Sequence, residues 1–121
     1  SGFEWFAEQL SDDVTLEVDV FWAATAGSDV AALLGRLGDR VKALHVKDGV
    51  VGINPFTPDS APLDKSALDQ RSAGQGELPL LDYLAASPST EYAVIEFDYY
   101  PGDIFDGVQG SVEFLNANGI K

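Results

Sequence analysis

Three residues of this 121-residue sequence carry the donor types of a divalent-metal site: Asp19, His45 and Glu96. Carboxylate oxygen and imidazole nitrogen together suit Mn, Mg, Co or Zn. A metal so held polarises a carbonyl or hydroxyl, and a carboxylate beside it moves a proton. Plainer readings stand beside this one. His45 is the single histidine, and a lone strand histidine is often only a packed or exposed structural group. Asp19 and Glu96 lie in apolar stretches, where an unpaired buried carboxylate is costly; each is either functional or capped and paired. All three could also form a hydrogen-bonded network without metal. Other candidates carry less. Gly74-Gln75-Gly76 could cradle phosphate but lacks the strand-loop-helix spacing of a dinucleotide fingerprint, so a plain flexible loop is the simpler reading. Trp22, Tyr99 and Tyr100 could stack on a substrate or pack at a rim. Lys47-Asp48 reads as a simple surface pair. No serine has the context of a hydrolase elbow.

Strands must place these groups, and the hydrophobic pattern supplies them. Thr15 to Trp22 is rich in β-branched and aromatic residues and predicts a strand, with Glu17 and Asp19 on one face because strand side chains repeat every second residue. Val41 to Lys47 predicts a second strand and Tyr92 to Phe97 a third. Helices alternate with them. Phe3, Phe6, Ala7 and Leu10 make one stripe over Gly2 to Leu10, which Ser11-Asp12-Asp13 ends. Val30, Leu33, Leu34 and Leu37 make another, capped by Ser28 or Asp29 and stopped at Gly38. Leu78 to Ala86 predicts a short helix with Pro79 in its first turn. A last helix is capped by Asp103, carries Phe105, Val108, Val112 and Leu115, and ends at Gly119. Residues 49–76 show no period and read as one long connection. This alternation predicts a single α/β unit over 1–121 with a parallel sheet. Asp19, His45 and Glu96 then lie near the C-terminal ends of its strands, where such folds bind ligands.

Composition narrows the partners. Lys and Arg total 7 against 20 Asp and Glu, a net charge of −13. That charge repels phosphate backbones and anionic lipid, which argues against nucleic acid and membrane surfaces as partners. Cysteine is absent, which excludes disulfides and thiolate sites. No apolar run approaches a membrane span and no signal-peptide pattern opens the chain, so a cytoplasmic location is expected.

Five segments, in order along the chain, resemble the sugar phosphate isomerase/epimerase family, the xylose isomerase-like barrels. Leu16-Glu17-Val18-Asp19-Val20-Phe21-Trp22 is similar to that family's E-x-D-x-x-W strand. Ala26-Gly27-Ser28-Asp29, with Leu33-Leu34 and Gly38-Asp39-Arg40-Val41, resembles the following helix and its lead into the next strand. Leu44-His45-Val46-Lys47-Asp48 resembles the H-x-K-D segment, Gly74-Gln75-Gly76-Glu77-Leu78 the G-x-G step before a helix, and Val94-Ile95-Glu96-Phe97-Asp98 the final strand. The resemblance implies part of a (β/α)8 TIM barrel, a divalent metal on Asp19, His45 and Glu96, and a further proton-transfer role for Glu96. Lys47 would act with Glu96 in catalysis, and Lys47, Trp22 and Asp98 would form the substrate side. The implied activity is isomerisation or epimerisation of a sugar or polyol by proton transfer next to a carbonyl. A keto-sugar or keto-inositol dehydratase or lyase is the nearest variant, and a non-catalytic α/β binding or assembly module with structural acids is the alternative from another class. Such a barrel has eight strands and about 250 residues. With three strands, the chain is expected to be a C-terminal piece of a longer enzyme, inactive alone. It is also expected to have two open strand edges and an apolar inner face, and to associate with another copy through its first or last strand.

Overall fold

The computed structural model describes Ser1–Lys121. Its elements run α1 (Gly2–Gln9), β1 (Leu16–Asp19), α2 (Val20–Thr25), α3 (Val30–Leu37), β2 (Val41–His45), β3 (Asp48–Val50), β4 (Asp69–Arg71), α4 (Leu80–Ala86), β5 (Tyr92–Val94) and α5 (Ile104–Ala117). The fold is α/β: β1, β2 and β5 form a three-stranded sheet in that order, parallel throughout. β1 and β5 each pair on one side only, so both outer edges are open. No helix is long and apolar enough to cross a membrane.

Alternation along the strands sorts the two faces of the sheet. Leu16 and Val18 of β1 and Leu44 of β2 point to the helices and are buried. Val18 and Leu44 join Val20, Val30, Leu34, Val41, Leu80 and Leu115 in one core. α3 supplies much of it. Asp29 caps that helix by accepting from the Ala32 amide at 3.0 Å, Val30, Leu33 and Leu34 are buried, and Gly38 ends it at a φ of +58°. The opposite face carries Glu17, Asp19, Ala43, His45, Tyr92 and Val94, none of them buried. An apolar inner face is therefore not what the fold presents: its centre is charged.

Several boundaries differ from the sequence reading, each for a local reason. The first strand stops at Asp19, because its Oδ1 accepts from the Trp22 amide at 3.0 Å and so starts α2. Phe21 and Trp22 are helical. The second and third strands end at His45 and Val94, leaving Lys47 and Glu96 just beyond them. Residues 49–76 are not a bare connection: β3 and β4 pair antiparallel within them, Gly49 opposite Gln70. Pro79 is the N-cap of α4 and not part of its first turn.

Two helical stripes also point differently. In α1 only Ala7 is buried, while Phe3 and Phe6 are exposed. α5 buries Gly107, Ser111 and Leu115 and leaves Phe105 and Val112 exposed. Small residues let α5 come close. A Cβ on Gly107 would meet the Tyr100 ring at 2.8 Å, and Ser111 Oγ accepts from the Ala73 amide at 3.0 Å.

Candidate metal centre

Strand register builds the cluster. β1 and β2 place Asp19 directly opposite His45, and β2 and β5 place His45 opposite Val94. Glu96 follows two residues later on the same side. One donor atom from each of Asp19, His45 and Glu96 can be chosen so that all lie within 4.8 Å of one another. His45 Nδ1 stands 3.2 Å from Asp19 Oδ2 and 3.9 Å from Glu96 Oε2. Its other ring nitrogen, Nε2, is 3.0 Å from Glu17 Oε1. A hydrogen on Nε2, donated to Glu17, leaves a lone pair at Nδ1 facing the cluster, the form a metal ligand requires.

The donor set fits a small divalent ion. Oxygen and nitrogen ligands at about 2.1 Å from such an ion stand roughly 3 Å apart at neighbouring corners. The His45–Asp19 separation already has that value, and the His45–Glu96 separation needs only a small closure. Asp19 divides its labour, with Oδ1 capping α2 and Oδ2 turned to the cluster.

Lys47 lies in the same place. It is 1% exposed. Its Nζ is 3.0 Å from Asp19 Oδ2 and 2.7 Å from Asp98 Oδ2, and it touches Glu96 Oε2. Burial alone would lower its pKa, but bonds to Asp98, Glu96 and Asp19 more than offset that and raise it. It stays an ammonium ion, 6.0 Å from the centre of the Trp22 ring.

Asp98 is held by the protein itself. Its Oδ2 accepts from Lys47 Nζ, Trp22 Nε1 at 2.9 Å and Gln70 Nε2 at 3.0 Å, and Oδ1 faces Lys65 Nζ at 3.5 Å. Burial pushes its pKa up, yet the bonds from Lys47, Gln70 and Trp22 prevail and hold it at about 2. Gln70, fully buried, also accepts from the Asp98 amide at 2.8 Å and the Tyr99 amide at 3.2 Å. It is a site residue that the sequence reading missed. A buried glutamine in a segment without periodicity has no signal until β4 is seen.

The Lys47-Asp48 surface pair is corrected, since both residues are 1% exposed. Asp48 accepts from four backbone amides: Gly49 at 2.8 Å and Leu78 at 3.1 Å through Oδ1, and Gly74 at 2.9 Å and Gly76 at 3.0 Å through Oδ2. The amides of Gly74 and Gly76, a candidate phosphate cradle, are thus bound to a carboxylate of the chain. Glycine is required there. A Cβ at Gly76 would fall 2.1 Å from Asp48 Oδ1, and Gly74, at a φ of +81°, lies against the Phe114 ring. Trp22 packs edge-on to Phe21 and Phe56, and Tyr100 packs edge-on to Phe97. Tyr99 is placed by the bond from its amide to Gln70.

Comparison of the chain with protein-family models, with curated proteins and with solved structures returns no match.

Proposed function

We propose that the chain is the metal-holding part of a xylose isomerase-like barrel that isomerises or epimerises a sugar or polyol. The observation that carries this reading is the convergence of Asp19, His45 and Glu96 at the C-terminal ends of three adjacent parallel strands. In barrels of alternating strands and helices, that end is where active sites are built. The open outer edges of β1 and β5 are the positions where further strands of a barrel would join. They also suit association with another copy.

Asp19, His45 and Glu96 would hold the metal, and Glu17 would fix the imidazole. A divalent ion there supplies Lewis acidity that acidifies a proton next to a substrate carbonyl. Glu96, about a third exposed, has Oε2 engaged with Lys47, so its other oxygen, Oε1, would take and return that proton. Lys47, whose ammonium meets Asp19, Glu96 and Asp98, would keep a positive charge beside the substrate. Trp22 and Asp98 form the wall that keeps its ammonium in place.

A second reading rests on Lys47. Its ammonium already partners the three acids Asp19, Glu96 and Asp98, so the cluster could serve as a structural ion network in a binding or assembly module. Calorimetric titration of Mn²⁺ into the chain and into its His45→Ala variant separates the two. The enzyme reading expects about one ion per chain and a loss of tenfold or more in affinity when one ligand is removed. Binding that ignores His45 selects the structural network; no binding selects it when a longer chain carrying the rest of the barrel also fails to bind.

A further inference from the structure

Asp19 Oδ2 and Glu96 Oε2 are the oxygens nearest His45 Nδ1, and the same two atoms contact Lys47 Nζ. Each of these contacts falls where an incoming ion would need lone pairs. An ammonium and a divalent ion sharing those oxygens would stand about 4 Å apart or less, where like charges in a half-buried site repel strongly. One of the two must give way. The lysine has somewhere to go: Asp98 Oδ2 lies 2.7 Å from Nζ and belongs to none of the ion's donors. Asp98 is also fixed, by Trp22 Nε1 and by the fully buried Gln70 on β4.

We propose that Lys47 is a resident cation of the cluster, and that a divalent ion binds by displacing its ammonium from Asp19 and Glu96 onto the post formed by Asp98, Trp22 and Gln70. This rests on the metal reading above and adds a regulation of that site. While no ion is bound, the lysine offsets part of the acids' charge and ties the strand ends together. When an ion enters, its affinity is lowered by the work of moving the lysine. The strength of the Asp98 post, set by Gln70, therefore tunes metal affinity from a residue that touches no ligand atom. Lys47 stays in the site in either state, bonded to Asp98 throughout and to Asp19 and Glu96 only while no ion is bound.

The test uses chain labelled with ¹⁵N at lysine side chains and titrated with Zn²⁺, which is diamagnetic. The Lys47 ammonium signal, protected by burial, is expected to shift in step with Zn²⁺ occupancy, while the signals of Lys42 and Lys121, which lie away from Asp98, stay near their starting positions. Calorimetry of the Lys47→Met variant should show Zn²⁺ binding about tenfold tighter or more, because the competing charge is gone. A Lys47 signal that stays fixed through Zn²⁺ saturation, or a Lys47→Met affinity equal to that of the unaltered chain, overturns the displacement and leaves the metal centre standing. Absence of Zn²⁺ binding in both proteins overturns the metal centre and the displacement together. Should Lys47→Met fail to fold, the signal in the unaltered chain decides alone.

Discussion

Asp48 holds the turn at 74–78 by backbone bonds alone, so the nearest test of the rim is a methyl group. Gly76→Ala places a Cβ against Asp48 Oδ1 and the Gly49 amide. It should cost about 3 kcal/mol, read as a lowered urea midpoint with an unchanged slope. A midpoint within a few tenths of a molar of the original would mean that the turn yields. The contrast with the three candidate metal donors is instructive. Asp19, His45 and Glu96 were legible because strand periodicity fixes a face, and strand ends fix a rim. Asp48 and Gln70 were not. Their partners lie 26 to 30 residues away in the chain, and hydrogen bonds across such distances leave no periodic mark. Lys47-Asp48 looked like a surface pair because charge is the only property a sequence assigns to it.

At the scale of elements, α1 is attached by polar clips and not by its aromatic stripe. Arg36 pairs with Glu4, and Arg40 Nη1 donates to the Ala7 carbonyl at 2.8 Å. The Ser1 side chain and Glu4 close a capping box. The Arg36 bond, with help from the N-terminus and Ser1, lowers the Glu4 pKa from 4.5 to about 2. A carboxyl depressed on folding stabilises the fold above its unfolded pKa, and that contribution is lost as pH falls from near 4.5 toward 2. A carboxyl-carbon NMR titration should therefore find a Glu4 midpoint near 2, and Arg36→Ala should return it toward the ordinary glutamate range. An ordinary midpoint in the unaltered chain would show that the clip does not form in solution, where salt screens exposed pairs. The same element shows why helices were easier to find than to orient. Spacing located the α1 and α5 stripes. Which side packs depends on small residues such as Gly107 and Ser111, which a hydrophobic pattern passes over. α2 was missed because a carboxylate at a strand end caps a helix as readily as it binds an ion.

For the molecule as a whole, open edges and net charge pull in opposite directions. Apolar grooves flank both edges: one of about 420 Å³ beside β5, lined by Leu84, Ala93, Ile95 and Leu115, and one of about 400 Å³ beside β1, lined by Phe3, Val18 and Leu33. A charge of −13 holds copies apart. Association should therefore strengthen as salt rises, the reverse of charge-driven binding. Sedimentation velocity at low and high salt reads this, and Tyr92→Glu, which adds a negative charge at the exposed β5 edge, should suppress it. A monomer at every salt concentration removes the edges as an association surface. The α/β class was legible at this scale, because helix and strand periods alternate.

The wrapped Asp48 carboxylate also bears on how fast the molecule forms. The β2–β5 ladder joins Leu44 to Ala93, so a long stretch of chain must be drawn closed before that ladder can form. Pinning the 74–78 turn to Asp48 and pairing β3 with β4, if formed first, would close most of that stretch and shorten the loop left to order. Asp48→Asn should then slow refolding several-fold while changing the unfolding rate little, giving a chevron that drops on its folding limb.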